Sequence, residues 1–223
     1  TTARNLVEII NDNVAAVNAE CLSIKQDSQD YAMRIAATNT TQSKGLYILA
    51  GNDGADYPFA ISNVDESKTL LAIDGDGAMQ KPYQPAFSVK PSGSQADFAE
   101  NSQVTILFGT ETFYQGADFA SNTFTAPVSG KYQLQATIRI DNMDTAAGYY
   151  QITLVTSNRS YPSVFLLDPG GLASDPVYWS GSFAILADMD ASDTAHITIF
   201  QQADGTVQTD IQDDSFFSGY LVC

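Results

Sequence analysis

From residue 83 to residue 223 apolar side chains recur at every second position in segment after segment. Clear cases are 85–89 (PAFSV), 104–108 (VTILF), 132–140 (YQLQATIRI), 149–155 (YQITLV and its neighbours), 179–186 (WSGSFAIL), 196–201 (HITIFQ) and 216–222 (FFSGYLV). A period of two puts one side of each segment into a core and the other toward solvent, the signature of half-buried antiparallel strands. No helix-length apolar pattern interrupts them, and turns rich in Gly, Asn, Asp, Ser and Thr divide them. The region therefore predicts an antiparallel sandwich.

Residues 1–28 follow a different rule. Ala3, Val7, Ile10, Val14, Val17, Cys21 and Ile24 are spaced 4, 3, 4, 3, 4 and 3 apart, a heptad stripe with Val7, Val14 and Cys21 at a and Ile10, Val17 and Ile24 at d. β-Branched residues at both positions favour three strands over two. A single helix of this length is marginal in water, and association supplies the missing burial. Leu6 and Ile9 widen the apolar face, so a lone amphipathic helix docked on its own domain is the competing reading. The trimer seam predicted is Val7, Ile10, Val14, Val17, Cys21 and Ile24.

Residues 29–82 carry a loose repeat. Asp30–Ile35 (DYAMRI) is echoed by Asp56–Ile61 (DYPFAI), and Leu46–Leu49 followed by Asn52-Asp53-Gly54 is echoed by Leu70–Ile73 followed by Gly75-Asp76-Gly77. Each unit of strand, polar turn, strand and Gly-Asp turn is too small to bury its own faces. Three chains wrapped about one axis would share that core. The pattern resembles shaft segments of trimeric bacteriophage tail fibres. Asp74-Gly75-Asp76-Gly77 lacks the Glu that closes a calcium loop, so a Gly-rich hairpin turn is expected there. The segment 81–85 (KPYQP) reads as a short stiff linker at a domain boundary.

The sandwich region resembles the globular head of complement component one, subcomponent q, which shares the tumour-necrosis-factor jelly roll. The residues that carry this are Pro85-Ala86-Phe87-Ser88, the run from Phe124 to Tyr132 (FTAPVSGKY), the strand Trp179–Leu186, and the closing Phe216–Val222. Residues 191–195 (ASDTA) lack the glycine usual at that turn. The resemblance implies a jelly roll that assembles as a trimer. The chain is thus expected to be mainly β, with an N-terminal coiled-coil helix (1–28), a short intertwined β shaft (29–82) and a C-terminal antiparallel jelly-roll head (83–223), forming a homotrimer.

Charge narrows the function. Ten Lys and Arg against 26 Asp and Glu leave −16. Such a polyanion repels phosphate backbones, so nucleic acid is excluded as a partner. No apolar run of about 18 residues is present to insert in a membrane. The chain opens Thr1-Thr2 rather than with Met, which predicts a fragment or processed product of a longer protein. Two cysteines at opposite ends make no disulfide framework, and one histidine, His196, leaves little for metal or triad chemistry. The pairs Asp188/Asp190 and Asp213/Asp214 are read as solvated turn residues rather than glycosidase carboxylates. The expected protein is no enzyme.

Binding loops remain. Arg159, Tyr161 and Tyr178 supply donors and aromatic faces suited to sugars and are the receptor-contact candidates, with intersubunit contact as the competing role. Asp204, Asp210, Asp213 and Asp214 crowd one loop and form a candidate site for a divalent ion, calcium being the cofactor expected if any is bound. The function expected is a viral fibre or knob protein, located in the virion, that attaches to a host-surface saccharide or protein receptor. It would join other virion proteins through its N-terminal side. The alternatives are a secreted complement-like or lectin-like binding protein, and a purely structural virion component.

Overall fold

The structure, a computed structural model, describes Leu22, Ile24 and residues 31–35, 46–116, 118–202 and 206–223. Of the predicted seam, Val7, Ile10, Val14, Val17 and Cys21 lie outside the described residues; Ile24 sits in no regular element and is 47% exposed in the single chain. Among the described residues the only helix is one 3₁₀ turn, Pro169–Gly171, and the rest of the regular structure is strand.

Three short strands come first: β1 (Phe59–Ser62), β2 (Thr69–Ile73) and β3 (Met79–Gln80), paired antiparallel in that order. They are the second copy of the sequence repeat. The described parts of the first copy, 31–35 and 46–50, carry no strand. Two Gly-Asp turns nest on each other: a side chain on Gly75 would strike the Asp53 carbonyl, so only glycine allows the approach. The buried Asp74 carboxylate accepts from the backbone N–H of Asp76 (3.1 Å) and Ala78 (2.8 Å), closing the hairpin turn expected there.

The remaining strands are β4 (Ala86–Lys90), β5 (Val104–Thr105), β6 (Thr110–Gln115), β7 (Asp118–Ala120), β8 (Thr123–Thr125), β9 (Gly130–Asp141), β10 (Tyr150–Thr156), β11 (Ser160–Leu167), β12 (Tyr178–Met189), β13 (Thr194–Gln201), β14 (Asp210–Ile211) and β15 (Phe216–Leu221). One sheet runs β12-β9-β15-β4-β6, with β14 also on β9; the other runs β11-β10-β13-β8-β7, with β5 on β13. From β9 onward the chain passes from one sheet to the other and back: β9, then β10 and β11, then β12, then β13, then β15. All pairs are antiparallel, and this double Greek-key order is a jelly roll.

The core follows from alternation. Tyr132, Leu134, Ala136, Ile138 and Ile140 point inward from β9 and meet Tyr150, Ile152 and Leu154 of β10 and Ala195, Ile197 and Ile199 of β13, all fully buried or nearly so. Each large side chain so placed contributes about 1.5–3 kcal/mol relative to exposure. Phe87 stacks on Phe124 at 4.6 Å and meets the edge of Phe217 at 5.0 Å. The run from Phe124 to Tyr132 is the turn that joins the sheets: the Tyr132 hydroxyl donates to the Val128 carbonyl (2.8 Å), and a side chain on Gly130 would strike the Cys223 carbonyl at 2.5 Å.

Two departures from the sequence reading stand out. The segment 104–108 is strand only at Val104–Thr105; Ile106 instead donates its backbone N–H to Ile197 and drops its side chain into the core. Residues 81–85 are tied to the head, because the Gln115 amide donates to the carbonyls of Lys81 (2.9 Å) and Gln84 (3.0 Å), and the Gln84 amide donates to Leu221.

Candidate functional site

The chain comes into the head at the start of β4, so the two ends of the sandwich are not equivalent. Antiparallel strands alternate their loops between the ends. The turns 126–129, 157–159 and 190–193 lie at the proximal end beside the start of β4, while 91–103, 142–149, 168–177 and 206–215 lie at the distal end.

The distal loops are joined to one another by carboxylates. Asp175 accepts from the Thr145 backbone N–H (2.9 Å) and hydroxyl (2.6 Å) and from the Gln208 amide (3.2 Å). Those bonds, the hydroxyl first, hold its carboxyl below the usual range. Asp144 accepts from the backbone of Ala146 (2.7 Å) and Thr206. Beneath them the buried Tyr150 hydroxyl bonds Thr209 (2.8 Å) and accepts from the Asp144 N–H (2.9 Å); burial pushes the Tyr150 phenol up. Loops tied this way are held in shape before any partner arrives.

At the rim of the same end lies Arg139 of β9. Its Nε and Nη2 donate to the two oxygens of Asp141 (2.8 and 2.9 Å), and its Nη1 donates to Asp214 (2.7 Å). These bonds, Asp141 first, raise its affinity for its proton further. The guanidinium sits over the Tyr178 ring, 5.5 Å from its centroid. Across the strands Tyr178, Asp141 and Asp210 stand in one row, and Asp210 accepts from the Asn142 amide and the Asp97 N–H, both at 3.0 Å.

The predicted contacts are therefore divided. Tyr178 is distal and exposed. Arg159 and Tyr161 are together, guanidinium 5.9 Å from the ring centroid, but on the proximal β10–β11 hairpin, where Asn158 donates to the Asp188 carbonyl. The ends of β12 are roughly 35 Å apart at ~3.3 Å per residue, so these residues do not make one site. Of the acidic set, Asp210 and Asp214 are engaged as above, Asp213 is exposed in the turn before β15, and Asp204 is outside the described residues. Among the described residues no three acidic, His or Cys side chains converge as metal ligands. His196 projects from the outer side of β13 opposite Val155, and burial lowers its proton affinity.

A second surface lies on the outer face of the β12-β9-β15-β4-β6 sheet. The register sets Phe113, Ser88, Ser218, Gln135 and Ala184 in one row, and Gln115, Ala86, Tyr220, Gln133 and Leu186 in the next. Phe216, Thr137 and Ser182 make a third, with a Thr137–Ser182 hydroxyl bond of 2.7 Å. These rows hold no charge, although the chain as a whole carries −16. Phe113, Phe216, Tyr220 and Leu186 are exposed on it. Arg139 and Asp141 bound the face distally, and Lys131, paired to Asp188, bounds it proximally. The sequence reading did not select Arg139, Asp141 or this face; the signal available was the outward half of the β9 and β12 alternation.

No family model matches the sequence, and no curated protein matches it. The chain is similar to the globular domain of zebrafish complement 1qA at 19% identity and a TM-score of 0.45, over 63% of this chain and 98% of that one. It is similar to murine APRIL at 10% identity and a TM-score of 0.45, over 62% of this chain and 99% of that one. These likenesses decide nothing about partners, and the jelly roll stands on its own strand order.

Proposed function

We propose that this chain is a non-enzymatic viral fibre or knob protein, a homotrimer whose distal loops attach to a receptor on the host surface. The observation that carries the reading is the division of the surface. One sheet face presents central rows of uncharged side chains with Phe113, Phe216, Tyr220 and Leu186 exposed among Ser, Thr and Gln, as a face shared between copies would, and the opposite resource, a set of loops held rigid by hydrogen bonds, lies at the end farthest from the shaft. The shaft adds weight: Tyr47 and Leu49 are 83% and 86% exposed in the single chain, and neighbouring copies would cover them. Attachment then works by avidity, with three weak sites per fibre.

Electrostatics constrains the receptor. The loops 91–103, 142–149, 168–177 and 206–215 contain no Lys or Arg, and their acidic residues would be tripled in a trimer. Sialylated or phosphorylated glycans are repelled there, and a neutral saccharide or a cationic protein surface is favoured. The N-terminal side would engage other virion proteins. The head by itself suits a secreted complement-like or lectin-like binder equally well; the uncovered shaft favours the fibre. Light scattering on the purified chain should give about 72 kDa for three chains of 24.0 kDa, and the labelled protein should coat cells of its host and protect them from infection. A monomer that coats no cells would reject the proposal.

A further inference from the structure

We infer that Tyr178, backed by Arg139 and flanked by Asp214 and Asn142, is a stacking site for one ring of a neutral saccharide. The inference rests on the attachment reading above and names its ligand class. Tyr178 is 67% exposed although it begins a strand, where its backbone is fixed by pairing with Asp141. The Arg139 guanidinium occupies one side of the ring at 5.5 Å. Arg139 is in turn fixed by a two-point bond to Asp141, whose side chain is only 15% exposed, and by a third bond to Asp214. An aromatic ring so fastened meets a ligand with little ordering cost, and the C–H face of a pyranose is the shape a flat ring takes. Polar groups suited to sugar hydroxyls stand next to it. Asp214 keeps its side chain 54% exposed while holding Arg139, and the Asn142 amide is set by Asp210.

The charge around the ring selects the sugar. Asp141 and Asp214 bond the single guanidinium and already offset its charge, and Asp210 stands in register beside Asp141, so an acidic sugar meets net repulsion and a neutral one does not. Arg139 acts as a positioning residue; its planar fork satisfies two carboxylates and a ring face at once, and a lysine offers no such geometry.

The test uses the full chain and the methyl glycosides of glucose, galactose, mannose and N-acetylglucosamine, with sialic acid for contrast. Saturation-transfer NMR reads contact with the sugar. Emission from Trp179, the single tryptophan and the immediate neighbour of Tyr178, reads occupancy. At least one neutral glycoside should saturate, and sialic acid should not. Tyr178→Ala should weaken binding about tenfold or more, and Tyr178→Phe should retain it. Arg139→Lys should weaken it several-fold and broaden the Tyr178 ring resonances, while Tyr161→Ala at the other end changes nothing. Binding undiminished in Tyr178→Ala, stronger binding of sialic acid, or a fall in solution mass on Tyr178→Ala would each overturn the inference, the last making Tyr178 an intersubunit contact. If no glycoside binds while the labelled chain still coats cells, the saccharide site fails and attachment survives; if neither occurs, both fail.

Discussion

The head and the shaft solve the same problem in opposite ways. In the head, a single chain folds two sheets face to face, and Tyr132, Leu134, Ile138, Ile152 and Ile197 lose all contact with solvent. In the shaft, three strands of four, five and two residues form one open sheet, and Ile61, Leu70 and Met79 remain exposed together with Leu46, Tyr47 and Leu49. Both regions are comparably apolar in sequence. Topology separates them: a sandwich closes on itself, whereas a lone three-stranded sheet has to borrow its second layer.

Cutting the chain at residue 83 is the severest test of that contrast. The fragment 83–223 should unfold in urea as one cooperative transition, and the fragment 46–82 should show no transition at all at any concentration where it is monomeric. A cooperative, monomeric 46–82 would mean that the shaft closes its own core. Next in size is assembly through the uncharged face. Placing charge at its centre, as Phe216→Asp with Tyr220→Asp, should convert fragment 83–223 from three associated heads to one, read by light scattering, because three like-charged faces cannot be desolvated against each other. Both side chains are solvent-exposed in the single chain, so its urea midpoint should stay within a small margin. Inside the head, Phe87→Ala should cost about 3–5 kcal/mol, since that ring touches Phe119, Phe124 and Phe217 and is fully buried. Tyr150→Phe should cost less, about 1–3 kcal/mol, by stranding Thr209 and the Asp144 N–H; its effect should concentrate in the distal loops, where amide exchange would quicken first.

How much of this was legible beforehand depended on burial. β9, β10, β12, β13 and β15 were all readable, because each buries one face and so shows strict alternation. β6 was not: it is an edge strand exposed along nearly its whole length, and residues 110–115 (TETFYQ) carry no period. β11 was hidden by Pro162, which an edge strand tolerates because one side of its backbone has no partner. That omission had a functional consequence. In an antiparallel sandwich each further strand moves the next loop to the other end, so without β11 the end occupied by Arg159 and Tyr161 was undetermined and they stood beside Tyr178 as candidates. Counting β11 sends them to the proximal turn. Arg139 was overlooked for another reason. It sits within a strand, and only its outward position, between Ile138 and Ile140, distinguishes it from structure.

The smallest expected effect concerns pH, and it too separates regions, because the one histidine belongs to the head. His196 is partly buried on β13 and burial lowers its pKa below the ordinary value of 6.5. The folded head therefore prefers the neutral imidazole, while the unfolded chain protonates at 6.5. Stability from this group is complete above pH 6.5 and is lost as pH falls from 6.5 through the lower folded value, since the unfolded state binds the extra proton in that window. Asp175 and Asp193 are also shifted, but downward from 3.8, so they lie outside that window. Fragment 83–223 should accordingly show a urea midpoint that declines between pH 7.5 and 5.5, and His196→Gln should flatten that decline while leaving the acid unfolding below pH 4 in place. An identical decline in the variant would show that His196 does not carry the sensitivity and would overturn this assignment.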